Sequence, residues 1–129
     1  EKYLVGDMID KLKVKTTGLD QQVRNLSGGN QQKVVLGKWL FAGSEIFIFD
    51  EPTRGIDIGA KQEIYRLINT LAKEGKAIIM ISSEMAEILS LSDRVLVMRG
   101  GEAVGILKEN EVTEKNILSL ALGVSGETT

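Results

Sequence analysis

Leu26-Ser27-Gly28-Gly29-Asn30-Gln31-Gln32-Lys33, followed by Ile46-Phe47-Ile48-Phe49-Asp50-Glu51-Pro52-Thr53, is the pair of stretches from which the fold is read. In the first, a serine able to cap a helix precedes two glycines. Glycine carries no side chain to hold an anion away from the backbone N–H groups, and the positive end of the helix adds to the attraction. In the second, a continuous apolar run ends in two acids. That run predicts a strand buried on both faces, and carboxylates at the carboxyl end of such a strand face the crevice where ligands sit in open α/β sheets. Each stretch alone also has a simpler account: a capped helix after a glycine turn, and two solvated acids at a strand end.

Outward from these stretches, strand and helix patterns alternate. Tyr3, Leu4, Met8, Ile9 and Leu12 recur at helical spacing, fading near Lys15-Thr16-Thr17-Gly18. Ser27 caps a helix from about Asn30 to Phe41, with Val34, Val35, Lys38-Trp39 and Leu40 on its mixed apolar face and Gly43 stopping it. Ile46 to Phe49 is the first strand. Asp57 caps a helix from Ile58 to Glu74, striped by Ala60, Ile64, Leu67, Ile68 and Leu71 and closed by Gly75. Ala77 to Ile81 reads as a second buried strand, and Ser82-Ser83-Glu84 opens a short helix to about Leu89. Arg94 to Met98 forms a third strand, which Gly100-Gly101 turns into a hairpin partner from Ala103 to Leu107. Thr113 caps a last helix through Leu122, ended by Gly123, and a short tail from Ser125 to Thr129 is expected to fray. The order predicts an α/β fold, a mostly parallel sheet flanked by helices.

Composition narrows the chemistry. The 129 residues suit one domain or a piece of one, and 43% hydrophobic with 26% charged residues is ordinary for a globular chain. A formal net charge of -2 provides no basic face for nucleic acid or anionic lipid. There is no cysteine and no histidine, so thiolate and imidazole chemistry are excluded, leaving carboxylates, hydroxyls, lysines and backbone amides. No run of about 18 apolar residues and no signal-peptide pattern are present, so the expectation is a chain that neither spans a membrane nor is exported. The phosphate loop G-x-x-x-x-G-K-[ST] is also missing.

Taken together, Leu26 to Lys33 resembles the signature sequence of the ATP-binding-cassette (ABC) ATPases, and Ile46 to Thr53 resembles their Walker B segment. The Asn30-Gln31-Gln32-Lys33 version is similar to that of the second ATPase half of bacterial monosaccharide importers, such as those for ribose, xylose or galactose. The resemblance runs from about Lys2 to Gly123 and implies a P-loop NTPase-type partial domain lacking the P-loop strand. It divides the chain into the end of a helical subdomain at 1–26, the carboxyl-terminal part of the ATPase core at 27–123 and a flexible tail at 124–129.

The resemblance also implies roles. Ser27, Gly28, Gly29 and Gln31 would face the γ-phosphate of ATP held by an opposing nucleotide-binding domain. Asp50 would hold Mg²⁺, and Glu51 would be the catalytic carboxylate that readies water. Arg54-Gly55-Ile56-Asp57 occupies the place of the D-loop, which crosses toward the partner's P-loop and the nucleotide it holds; Asp57 can also be explained as a helix cap, and both roles can coexist. Ser83 stands where the family usually presents a switch histidine, and serine has no ring to hold the γ-phosphate against Glu51; the bland account is that Ser82 or Ser83 caps a helix whose dipole favours Glu84 and Glu87. Ser92-Asp93-Arg94-Val95 through Met98-Arg99-Gly100-Gly101 matches the following strand and hairpin, and Trp39 is expected in the core rather than stacked on a base.

The implied partners are a second nucleotide-binding domain, transmembrane permease subunits and, indirectly, a periplasmic sugar-binding protein, with the chain peripheral at the cytoplasmic face of the inner membrane. In the family's sheet the P-loop strand lies between the strands matching Ala77–Ile81 and Arg94–Met98. The chain by itself is therefore expected to leave a gap there, to swap, oligomerise or be marginally stable, and to show no ATP hydrolysis and feeble ATP binding. Two other classes compete: an ATPase head of a chromosome or DNA-repair protein, against which the lack of heptads and basic stripes argues, and a noncatalytic interaction module.

Overall fold

The computed structural model describes residues 6–124 except 8 and 11, and leaves out the side chains of Trp39 and Phe41. The expectations for Tyr3, Leu4, Met8, the Trp39 side chain and the tail from Ser125 lie outside the described residues. The chain divides into two compact units, Glu1–Ile81 and Ser82–Thr129.

In the first unit, Gly6, Asp7, Ile9 and Asp10 are helical, and the chain leaves that helix at Lys13, whose φ is +51°. A 3₁₀ turn at Val23–Asn25 precedes helix α1, Gly28–Phe41. Strand β1, Ile46–Asp50, leads through a turn to helix α2, Ile58–Lys73, and then to β2, Ala77–Ile81. The strands pair in parallel, Ile46 opposite Ala77 and Asp50 opposite Ile81. Ile64, Ile68 and Leu71 form the buried stripe of α2, spaced as an amphipathic helix requires. Leu12, Val14, Leu36, Phe47 and Phe49 are also buried, with the two phenylalanine rings 6.0 Å apart.

Two expectations are corrected here. The strands are not buried on both faces: Phe47 and Phe49 are covered, whereas Ile46 is 65%, Ile48 66%, Ile79 54% and Ile81 50% exposed. Side chains alternate across a strand, and only one face of this two-stranded sheet has a covering layer. The buried face of α1 is likewise not the Val34, Val35, Lys38, Leu40 set. Val35 and Lys38 are exposed and Val34 and Leu40 half-buried, and among the described residues the buried positions are Gly29, Lys33, Leu36 and Gly37.

The second unit begins with helix α3, Met85–Leu91, and continues with β3, Arg94–Arg99, and β4, Glu102–Lys108. These strands form an antiparallel hairpin. Gly100 and Gly101 both have positive φ, +58° and +83°, the backbone that a tight hairpin of right-twisted strands demands at its two central residues. A 3₁₀ turn, Glu109–Glu111, precedes helix α4, Glu114–Leu122, where the Thr113 hydroxyl caps by accepting the Asn116 N–H. Val95, Val97 and Ile117 make the core, packed by Met85, Ile88, Val104, Leu107, Val112 and Leu120. The two sheets are separate, β2 having β1 as its partner and β3 having β4. Among the described residues no helix is long and apolar enough to cross a membrane.

The burial pattern makes a direct prediction. Ile64→Ala lowers the unfolding free energy by about 2–5 kcal/mol, while Ile48→Thr changes it by less than about 0.5 kcal/mol, both read by urea denaturation with circular dichroism. Equal losses at the two positions would contradict the one-sided packing of β1.

Candidate phosphate-facing site

Ser27 stands in extended backbone, φ −61° and ψ 157°, as the N-cap of α1. Its Oγ accepts from the Asn30 N–H at 3.4 Å and from Asn30 Nδ2 at 2.9 Å. A hydroxyl that accepts twice keeps one proton to donate. Asn30 Oδ1 in turn accepts the Lys15 N–H at 3.0 Å, and Gln31 Nε2 donates to the Leu26 carbonyl at 3.0 Å. Gln31 therefore fastens the loop onto the helix it precedes. Ser27 and Gly28 are exposed at the helix start, where first-turn N–H groups lack intrahelical acceptors.

The two glycines do different work. Gly28 faces open space apart from the Ile56 methyl, 3.4 Å from where a Cβ would stand. Gly29 is buried, and a Cβ there would lie 2.6 Å from the Cβ of Ala60 in the first turn of α2. The missing side chain at Gly29 thus serves helix packing, where the sequence suggested access for an anion.

Four residues on from Gly29, Lys33 is buried, forms an ion pair with Glu63 of α2, and donates to the Lys13 carbonyl at 3.1 Å. Asp57 caps α2 by accepting the Ala60 N–H at 2.9 Å. Ser27, Asn30, Lys33, Asp57 and Glu63 line one polar cavity of about 220 Å³.

At the carboxyl end of β1, Asp50 is exposed and Glu51 half-buried. The Glu51 N–H extends the ladder by donating to the Ile81 carbonyl at 2.8 Å, and the residue then turns into the left-handed region with φ +47°. For a residue other than glycine that backbone is strained. The turn beyond is well held: Arg54 N–H donates to Glu51 O, Pro52 and Thr53 are buried, and Gln32 Nε2 donates to Pro52 O at 3.0 Å. That last bond ties the glycine-led helix to the acidic turn. A second cavity of about 370 Å³ runs along this side, lined among others by Gln32, Leu36, Phe47, Phe49 and Asp50.

Among the described residues no three His, Cys, Asp or Glu side chains converge on a metal position. The donor set still suits Mg²⁺, which takes one or two carboxylates and fills the remaining positions with water and phosphate oxygens. Asp50 provides such a carboxylate.

Ser83 belongs to the second unit, where it is exposed. Neither Ser82 nor Ser83 is the N-cap of α3, as the sequence suggested: Glu84 holds that position without capping the helix through its side chain, and Ser82 Oγ accepts the Glu84 N–H at 3.0 Å in the preceding turn. The helix starts later because this local serine bond satisfies the N–H before helical geometry begins. Glu87 lies in its first turn and is buried.

Sequence reasoning missed Gln32, Asn30 and Lys33 as organisers of the site. Only the spacing of Lys33 four residues after Gly29 could have placed it on the glycine's face. The strain at Glu51 is testable by denaturation: Glu51→Gly raises stability by up to about 1 kcal/mol, since glycine adopts positive φ freely. Glu51→Val lowers it by more than about 1 kcal/mol, because a β-branched residue fits this backbone badly.

Comparison with known proteins bears on the fold and the family. Residues 5–54 match the family model described as ABC transporter. A protein of Pseudomonas syringae pv. tomato assigned as a ribose/galactose/methyl galactoside import ATP-binding protein is 57% identical over 122 residues, 95% of this chain and 23% of its own length. Ribose import ATP-binding protein RbsA 1 of Rubrobacter xylanophilus is 54% identical over 115 residues, 89% of this chain and 23% of its own. The chain thus spans about a quarter of the length of these relatives. Among solved structures, a nucleotide-free ATP-binding cassette from an ABC transporter superposes with TM-score 0.79 at 24% identity, over 92% of this chain and 47% of that one. An ATP-binding cassette in its ADP conformation gives 0.77 at 21% identity, over 95% and 51%. Sharing their fold, and identical at more than half of the aligned positions to relatives along nearly its whole length, the chain belongs to the ABC transporter family, as part of an ATP-binding cassette.

Proposed function

We propose that the chain is the carboxyl-terminal part of the second nucleotide-binding domain of a bacterial sugar-import ATPase, with the ATPase core at 27–123. The observation that carries this reading is the bond from Gln32 to Pro52 O, which joins a serine-capped, glycine-led helix start to a strand ending in Asp50 and Glu51. One phosphate-facing end and one carboxylate pair are thereby built on a single unit. The names of the relatives, which concern import of ribose or galactose, support a monosaccharide as the cargo. The sugar itself would be met by other subunits, so its identity follows from those relatives rather than from any cavity in this chain.

In this reading the Ser27 hydroxyl and the N–H groups of the first turn of α1 donate to the γ-phosphate of ATP held by the opposing domain. Glu51 orients a water beside the nucleotide of its own domain and accepts the proton that water loses as its oxygen bonds to the γ-phosphorus and the γ-phosphorus–oxygen bond to the β-phosphate breaks, giving ADP and phosphate. Bound with the nucleotide, Mg²⁺ neutralises charge on the phosphate oxygens, and Asp50 is the residue that would hold it. The left-handed backbone at Glu51 ends the line of β1, and in this reading the strain is kept where chemistry needs it. Asp57 combines capping of α2 with a D-loop place at the domain boundary. Ser83 has a hydroxyl where the family's histidine would brace the phosphate, so this site would turn over slowly. The partners are a second nucleotide-binding domain, a permease and, through the permease, a periplasmic sugar-binding protein, with the ATPase peripheral at the cytoplasmic face of the inner membrane.

In the full-length protein, Glu51→Gln lowers kcat for ATP hydrolysis at this site by about 10²- to 10⁴-fold, the range for loss of a general base. Such a measurement isolates this site when the other one is already inactive. Ser83→His raises kcat there by roughly tenfold, as a positioned imidazole does. Unchanged hydrolysis in Glu51→Gln would remove the proposed role.

A further inference from the structure

Lys33 is a cation placed where the fold gains little from charge. It is 4% exposed, and burial, followed by the Lys15 and Lys13 charges, pulls its ammonium pKa below the ordinary value. Lys33 is buried while its partner Glu63 is 36% exposed, and such a pair is a weak contributor to stability, since desolvating the ammonium offsets much of the attraction.

What the residue does is geometric. Gly29 and Lys33 lie one turn apart on the same face of α1 and meet Ala60 and Glu63, three residues apart on α2. Gly29 lets the helices approach; the ion pair limits how far one can slide along the other. The ammonium also donates to the Lys13 carbonyl, and the Lys15 N–H is held by Asn30 Oδ1, so the incoming segment is tied to the same place. Ser27 and Asp57, the caps of the two helices, both border the cavity described above.

We propose that Lys33 is a positioning residue: through Glu63 it holds the N-terminal ends of α1 and α2 in one register, and so fixes the separation of Ser27 and Asp57. The inference rests on the function proposed above, in which both caps work at the boundary with an opposing domain. Lys33 itself touches no nucleotide, and it acts on turnover rather than on nucleotide affinity. Arginine keeps the charge and the donors; methionine keeps the unbranched stem and loses both partners.

The test is steady-state hydrolysis by the full-length ATP-binding protein over a range of ATP concentrations, with melting temperature recorded for each variant. Lys33→Met is expected to lower kcat by about 10- to 100-fold, the effect of a misplacement near 1 Å at a site remote from the chemistry. KM stays within about threefold; the melting temperature falls in Lys33→Met, which leaves Glu63 without its partner, and is regained in Lys33→Met/Glu63→Gln, where both charges have gone, while kcat stays low. Lys33→Arg recovers kcat to within about threefold of the parent. Glu63→Gln resembles Lys33→Met, and combining them gives no further loss, as for two members of one interaction.

An unchanged kcat in Lys33→Met overturns the proposal. So does a fall in kcat that tracks a fall in melting temperature and is not recovered by arginine, since that is a merely structural role. Ser27→Arg separates the two levels of inference. If it leaves hydrolysis intact, the reading of the site has failed; if it abolishes hydrolysis while Lys33→Met does not, the positioning role alone has failed.

Discussion

The contact between α1 and α2 is the constraint on which the first unit depends. Gly29 against Ala60 sets how closely the helices approach, and Lys33 against Glu63 sets their register. Close packing of this kind depends on the absence of a single methyl group, because interiors have little free volume to accept another. Once the contact is made, the position of the Ser27 cap follows from α1 and that of the Asp57 cap from α2. The bond from Gln32 to Pro52 O then carries the same placement to the turn that holds Asp50 and Glu51. The glycine-led helix start and the acidic turn share one support for this reason.

The acidic turn shows how a regular element ends in a strained one. Parallel pairing continues one bond beyond β1, from the Glu51 N–H to the Ile81 carbonyl, and stops where Glu51 becomes left-handed. The surrounding bonds and the burial of Pro52 and Thr53 hold that backbone against its preference. Strain can persist only where neighbours over-determine it.

Much of the fold was legible because the signals were local. The caps at Ser27, Asp57 and Thr113, the stripe along α2 and the Gly100-Gly101 hairpin depend on residues within a few positions of one another, and the structure has all of them. The face of α1 was misread for the opposite reason. Its buried positions carry glycine and lysine, which hydrophobic periodicity cannot recognise because the partner helix, not the pattern, makes them interior. The strands were misread as doubly buried because an apolar run records what a strand is suited to, whereas burial records which layers are present. The start of α3 moved beyond the serines because Ser82 spends its hydroxyl on a turn.

The amino-acid sequence by itself determined the kinds of element, their order, the helix caps and the residue types available for chemistry, since these follow from side-chain conformational preference, period and composition. Only the tertiary structure decided that Gly29 packs while Gly28 stays open, that Gln32 reaches the Pro52 carbonyl, and that Lys33 is interior and paired with Glu63. Those outcomes belong to pairs of residues distant along the chain. Their energies come from exclusion of volume and from the desolvation of charge, quantities that do not exist until two surfaces meet.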